Sequence, residues 1–489
     1  MKLIESINEM INSIVWGPPM LVLMGITGVL MTILTGFFQV TKAKHVTKST
    51  LGGIFKNRDV TQHTADKSIS QFQSLCTALA ATVGTGNIIG VAGAIITGGP
   101  GAVFWMWVIA FFGMMTNYSE NVLGIYYRRK NTKGEWSGGA MYYLRDGLGS
   151  KKGCKRLGLV LAALFSVFCF LASFGIGNMT QVNSIAGNLY SVFHVPTAVT
   201  GIIIMVIAGL VILGGLKRIA SVTEKIVPFM VIIYMIGSVI IFLMHINQAG
   251  AVFVAIFKGA FGLKAAAGGI VGAGLKQAVV MGMKRGVFSN EAGLGSSVMV
   301  HSSSNVKEPV QQGMWGIFEV FADTIVVCTL TAFTALSSGL IDLETGTVLA
   351  GYDKNSLIST AFTNSFGFAG GAFVAIAIML FAFSTVLGWS HYGSKACEYL
   401  FGEKSVIVYK LIFVAAIFGG AVMGDNLAWE IADTLNGLMA LPNLIGVLAL
   451  SGTVAAITRN YVSRTFHGSK EEPMMSAFPD VQAEQMKDL

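Results

Sequence analysis

The chain has 489 residues, 53% of them hydrophobic and 12% charged, a charged share about half that of an ordinary soluble domain. No water-exposed surface can be built from that composition, which excludes a soluble enzyme or binding module. The net charge of +8 does not point to nucleic acid, because the basic residues lie between apolar blocks and not on one globular face.

The apolar blocks begin, in chain order, near Met20, Phe72, Val103, Leu159, Thr197, Pro228, Gly269, Met314, Ala369, Val406 and Leu427. Each approaches the ~20 residues a helix needs to cross hydrocarbon, and none alternates as a barrel strand does. Backbone groups in lipid must be satisfied within their own segment. The expected fold class is therefore all-α, a polytopic membrane protein of about eleven transmembrane helices in a lipid bilayer. The first run follows Lys2, Glu5 and Glu9 without a small-residue cleavage site and reads as a retained helix.

Alternating spans put Lys42, Lys44, Lys48, Lys56 and Arg58 on the same side as Arg128 to Lys133, Lys151 to Arg156, Lys217 and Arg218. About 25 of the 33 Lys and Arg fall there and about five on the other side, an asymmetry that marks the cytoplasm. The N-terminus is then outside and the C-terminus inside a cell membrane. The tail from His467 to Leu489 is polar, carries Pro473 and Pro479, and reads as disordered. Cys76, Cys154, Cys169, Cys328 and Cys397 form no C-x-x-C pair, so neither a structural disulfide nor a metal site is expected.

Two blocks break the helix pattern. In the second, Ala80-Ala81-Thr82-Val83-Gly84-Thr85-Gly86-Asn87 sets two glycines around a threonine, which lowers the cost of unwinding. An unwound turn would offer N–H groups and the positive helix end to a carboxylate, and freed carbonyls to a cation. The alternative is that such glycines, Gly90 and Gly93 among them, serve close packing. In the seventh block, Gly282 to Ser297 holds four glycines before Ser296, with Lys284, Arg285, Asn290 and Glu291. Ionisable residues at membrane depth are functional candidates. Lys284, Arg285 and Glu291 can neutralise one another; local pairing is the reading for Lys284 and Arg285, and a cavity-facing place for Phe288, Ser289, Asn290 and Glu291.

The two broken blocks stand five apart, and five spans reverse orientation, as in inverted repeats whose discontinuous helices meet at the midplane. The expected organisation is an extra helix and cytoplasmic loop over 1–67, repeats over 68–245 and 268–461, an extracellular connector over 246–267 and a tail over 462–489. In the fourth block Phe174, Asn178 and Gln181 share one helical face, either toward the cavity or for interhelical hydrogen bonds. In the ninth, Ser384 and Thr385 offer hard oxygen ligands to an alkali cation or bond their own helix.

These residues resemble the alanine/glycine:cation symporters, the sodium:alanine or amino-acid carrier family of the leucine-transporter-like fold. The resemblance covers Gln71 to Tyr461 and rests on Gly84-Thr85-Gly86-Asn87, Gly98 to Trp107, Gly282 to Ser296 and Ser384 to Trp389. It implies a five-plus-five repeat, broken first and sixth core helices, and alternating-access uptake of a small neutral amino acid, alanine or glycine, with sodium. The substrate carboxylate would meet the N–H groups of Thr85, Gly86 and Asn87. Its amino group would face Phe288, Ser289 and Asn290, with Gln181, Thr385 and Trp389 closing the pocket. Sodium would lie between the carbonyls of Ala80 and Val83 and the hydroxyls of Ser384 and Thr385. No cofactor beyond the co-transported ion and no nucleic acid is implied, and a monomer would suffice. The sequence departs from the family pattern at Asn117, His391 and Ser394, where lysine, tyrosine and glutamate are usual.

A proton-coupled or a glutamine- or serine-selective carrier of the same fold is the nearer alternative; Lys225 is the candidate proton site, and its place beside a basic loop makes it a topology anchor. An intramembrane enzyme lacks H-E-x-x-H, a paired aspartate for Gly424-Asp425, and any P-loop. A channel would favour repeated or charged rings over an asymmetric pair of broken helices.

Overall fold

Two early helix starts follow signals in the sequence. The computed structural model describes residues 2–63, 67–262, 271–349, 351–423 and 426–487. Helix α1 (Lys2–Val15) leads into α2 (Pro18–Leu34), whose first turn takes prolines where N–H groups are spare. Helix α3 (Gln71–Thr82) opens on a capping box, Ser70 Oγ accepting from Gln73 N and Gln73 Oε1 from Ser70 N, each at 3.1 Å. There follow α4 (Ile89–Gly98), α5 (Gly101–Tyr126), α6 (Lys155–Phe174), α7 (Thr180–Phe193), α8 (Thr197–Ile212), α9 (Gly215–Met244) and α10 (Ala249–Ala260). The second half holds α11 (Val271–Asn290), α12 (Val298–His301), α13 (Pro309–Val320), α14 (Thr329–Ser337), α15 (Leu357–Phe366), α16 (Phe368–Phe401), α17 (Val406–Val422), α18 (Asn426–Ala449) and α19 (Ser451–His467). Short helices Phe38–Thr41, Ala43–Ser49, Leu51–Lys56 and Arg58–Thr61 lie between α2 and α3, and α20 (Pro479–Met486) lies in the tail.

Among the described residues, eight helices are long and apolar enough to cross a membrane, and α3 with α4, bent by 60°, makes a ninth span. The two other apolar blocks are helical as well: α8 is shorter at 16 residues, and α11 carries Lys276, Lys284 and Arg285. The fold is an all-α polytopic bundle.

An apolar helix, α10, runs within the connector, and its Phe257 ring lies 5.5 Å from that of Phe104 on α5. Two expectations need correction. The tail is ordered: Ala477 N donates to Tyr126 O at 2.9 Å, Arg129 covers the Phe478 ring at 3.6 Å and Lys130 pairs with Glu484 at 2.9 Å. Its Met475 is fully buried, so apolar side chains within a polar segment supply the docking energy that average composition hides. The seventh block stays helical through Asn290 and breaks only at Glu291, at φ 56. Its first glycines serve packing: a Cβ at Gly282 would overlap the Ala102 carbonyl, and one at Gly286 would stand 2.6 Å from Ile109, both on α5.

The segment after the second break is fastened by one buried arginine. Arg128 donates to the carbonyls of Ser302 (3.0 Å), Ser304 (2.6 Å) and Val306, beside a bridge in which Ile69 N donates to Ser303 O at 3.1 Å. Removing it leaves buried acceptors unmet, at about 1–3 kcal/mol each. Arg128→Ala should lower the thermal midpoint in detergent well beyond the effect of Arg129→Ala at the exposed neighbour; equal midpoints would refute the clamp.

Candidate functional site

Helix α3 ends at Val83, whose N–H donates to Leu79 O at 2.8 Å, and Gly84 is extended at φ −129. Thr85–Asn87 make one 3₁₀ turn before α4 resumes. Side chains satisfy the groups this break frees. Asn87 Oδ1 accepts from Gly84 N at 2.9 Å, and Gln181 Oε1 accepts from Thr85 Oγ1 at 3.1 Å and Thr85 N at 3.5 Å. Gln181 is aimed by its own Nε2, which donates at 3.0 Å to Ile176 O in the π-helical turn Gly175–Met179.

Ser384 and Thr385 of α16 reach the Ala80 carbonyl at 3.3 and 3.1 Å while also bonding Phe381 O at 2.8 and 3.0 Å. The pair thus bonds its own helix while reaching across to α3. The hydroxyls converge on Ala80; no hydrogen bond joins them to Val83. A Cβ at Gly84 would overlap Thr385 Oγ1, so the approach of α16 to the break requires glycine there.

From the other side, a Cβ at Gly86 would stand 3.4 Å from Phe288 and 3.5 Å from the Ser289 backbone. Phe288 and Ser289 therefore face the first break from the last turn of α11, still helical, while Asn290 beside them turns to other partners. Asn290 Nδ2 donates to Thr324 Oγ1 at 3.0 Å, Thr324 Oγ1 to Asp323 Oδ2 at 2.8 Å, and Asn87 Nδ2 to Asp323 Oδ1 at 2.6 Å. Asp323 is wholly buried in a π-helical turn, Phe321–Cys328, and these donors are all neutral.

Trp389 is held at one remove. Its Nε1 donates at 3.0 Å to Glu291 Oε1, the residue at the second break, whose other oxygen accepts from Ser296 Oγ. Asn178 takes its packing alternative, donating to Phe413 O at 2.7 Å, and Phe174 packs on the Tyr409 and Phe413 rings.

A cavity of about 100 Å³ reaches the break, lined by Thr85, Gly86, Phe288, Arg285, Lys354 and Trp429 among others. Lys284 does not neutralise a neighbour on its own helix: it bridges to Asp433 on α18 at 2.6 Å. Arg285 lies over the Phe288 ring at 5.4 Å. Glu291, the acid of the same block, accepts from Trp389 and Ser296 instead of either cation. Burial, with Arg285 nearby, lowers the Lys354 ammonium below its ordinary range.

Sequence reasoning missed Asp323 and a second buried pair, His301 Nε2 to Glu319 Oε2 at 2.9 Å, to which Asn117 Nδ2 also donates at 3.4 Å. The signal was present, since Glu319 and Asp323 stand four apart inside an apolar block, where acids are costly.

The model of the sodium:alanine symporter family matches residues 1–476. The chain belongs to that family. It is 44% identical to the sodium/alanine symporter AgcS of Methanococcus maripaludis, over 93% of this chain and 97% of that one. It is 35% identical to the probable sodium/glutamine symporter GlnT of Bacillus subtilis, over 94% and 91%. A structure of MhsT in complex with L-phenylalanine (TM-score 0.50, 13% identity, 81% and 99% covered) and one of a Na⁺-coupled sialic acid symporter (0.51, 12%, 97% and 95%) share the fold. The symporter is a transporter and not an enzyme, a sodium-coupled secondary carrier of a small neutral amino acid.

Gly84→Ala should abolish sodium-driven uptake with expression intact, and Gly84→Ala/Thr385→Ala should recover part of it by removing the overlapping hydroxyl. An active single variant would show that α16 does not press on the break.

Proposed function

We propose that the symporter takes up alanine or glycine with sodium by alternating access, the substrate seated against Thr85–Asn87 and the cation at Ala80, Ser384 and Thr385. One observation carries the reading: the break presents the small cavity on one side and, on the other, a carbonyl already gathered by two hydroxyls. Peptide N–H groups at the start of a helix suit the substrate carboxylate. Phe288, Ser289 and Asn290 would border its amino group and side chain, and Gln181 would keep the turn open. Trp389, tied to Glu291, would close the pocket as a wall. The greater identity to the sodium/alanine symporter than to the sodium/glutamine symporter favours alanine or glycine over glutamine.

Carbonyl and hydroxyl oxygens are the hard ligands an alkali cation needs. Val83 O would join them once an ion draws the end of α3 inward. Asp323 adds a buried carboxyl whose ionised form an entering cation would favour. The reading includes an N-terminus outside, a cytoplasmic C-terminus and basic loops, the repeats over 68–245 and 268–461, and function as a monomer.

Radiolabelled uptake into proteoliposomes tests it, with alanine, glycine, serine and glutamine compared with and without an inward sodium gradient. Alanine or glycine should lead and depend on sodium; glutamine in first place would overturn the substrate assignment. Gly86→Leu, which fills the space before Phe288, should remove amino-acid binding while the protein stays folded, and normal uptake by this variant would end the carboxylate assignment.

Thr385→Ala removes one proposed cation ligand without a charge change. It should raise the sodium concentration for half-maximal uptake by about tenfold, the equivalent of one good ligand at about 1.4 kcal/mol, and weaken amino-acid binding far less. Uptake that ignores sodium, follows an imposed pH gradient and is lost in Lys225→Ala would establish proton coupling instead.

A further inference from the structure

One face of α2 is apolar and exposed along its length: Val22, Ile26, Val29 and Ile33 recur at steps of three and four residues. In a span such a face meets lipid. The chain leaves the span at Leu34 and bends at Gly36 (φ 69) and Phe37 (φ 56) into the short helices Phe38–Thr41, Ala43–Ser49 and Leu51–Lys56. The exposed row keeps its step through them, as Phe37, Val40, Lys44, Lys48, Leu51 and Phe55. Val40 is 55% exposed and Phe55 87%. Apolar side chains repeated in step along one face are not the scattered single residues that any surface carries.

The other side of this segment is fixed to the bundle. The Phe38 ring lies 5.4 Å from that of Tyr118 on α5, Val46 is buried, and a Cβ on Gly53 would stand 3.1 Å from Val60. His45 Nε2 bonds the Tyr461 hydroxyl of α19 at 3.0 Å. These contacts hold the outward row in place. Its charge has one sign: no Asp or Glu stands between Glu9 and Asp59, whereas Lys42, Lys44, Lys48, Lys56 and Arg58 do. Lys42 lies over the Phe466 ring at 4.1 Å, and no salt bridge among the described residues takes Lys44, Lys48 or Lys56. Burial, then the ammonium groups of Lys48 and Lys42, hold the His45 imidazole below its ordinary pKa.

We infer that this row binds an anionic phospholipid, with the headgroup phosphate at Lys44 and Lys48 and the acyl chains against Val40, Leu51 and Phe55. An amphipathic segment at the exit of a span lies in the interface, its apolar side chains at the acyl boundary and its lysines among the headgroups. Clustered lysines beside a span select headgroups of net negative charge. A soluble anion would make no use of the exposed phenylalanines. An acidic protein would not explain a row continuous with the lipid-facing side of α2. The lipid would brace the linker between α2 and α3, the helix that ends at the first break. The inference is independent of the substrate and cation assigned there.

The full chain in a neutral detergent is titrated with phosphatidylglycerol or with phosphatidylcholine of the same acyl chains, and retained lipid is counted by native mass spectrometry. Phosphatidylglycerol should be preferred, and the preference should fall as salt rises. Lys44→Gln/Lys48→Gln should weaken its binding roughly thirtyfold, the loss of two basic residues at a membrane surface, and leave phosphatidylcholine unchanged. Lys44→Arg/Lys48→Arg should restore it, and Phe55→Ser should weaken both lipids. Lipid-free thermal midpoints should match the wild type, because these three side chains are exposed. A wild type without preference, or a preference unchanged in the glutamine variant, overturns the inference. So does displacement of the lipid by inorganic phosphate at constant ionic strength, which would mark a site for free anions. A dimer that Phe55→Ser dissociates while lipid binding stays unchanged would give the face to a second copy, and equally overturn it.

Discussion

An interrupted helix at membrane depth exposes backbone groups that neither lipid nor the next turn can satisfy, and the structure is arranged around meeting that demand at Val83–Asn87. Gln181 from α7, Asn87 from the break itself and the hydroxyls of α16 each take part. None of these helices is free to shift independently, because each supplies a partner for the same few peptide groups. Gly84 is small because α16 must come close, and the π-helical turn before Gln181 re-aims that side chain. The local sequence, the packing of three helices and the presence of a cavity have one cause.

The second break solves the same problem with charge. Glu291 accepts from Trp389 and Ser296, Asn443 donates to both Glu120 and the Gly293 carbonyl, and Arg128 gathers the carbonyls further on. Buried carboxylates with neutral donors are costly to keep, yet Glu120, Glu291, Glu319 and Asp323 are all at most 4% exposed. Such groups are retained where a mobile cation or a fixed set of donors gives them something to answer, and Asp323 stands within one hydrogen bond of Asn87 at the first break.

Much of this was legible because the breaks are written in residue types: a Gly-Thr-Gly-Asn run has no role in an ordinary lipid-facing helix. The position of the second break was less legible. Glycine density begins at Gly282, but glycines there serve the approach of α5, and unwinding waits for Glu291 at positive φ. Asp323 escaped because its block was read for length and hydropathy, which two acids hardly change, whereas its meaning depends on Asn87, far away in sequence. The docked tail escaped for a related reason: Phe478 and Met475 pack as individuals, and averaging over a polar segment conceals them.

Thr385 and Trp389 stand four residues apart on α16, and side chains at that spacing share one face of a helix. The first reaches Ala80 at the end of α3, and the second reaches Glu291 where α11 gives way. One continuous helix therefore touches both interruptions, with Gly388 between them packed against Ala81. On the proposed seating, an ion that draws Ala80 and Thr385 together would shift α16 relative to α3, and the turn between Thr385 and Trp389 would carry that shift to the second break. A two-position element biased from both ends is the physical requirement for coupling two ligands. The proposed sites would meet that requirement within about one turn of helix, roughly 6 Å at 1.5 Å per residue, with sodium and amino acid as joint occupants of one structure.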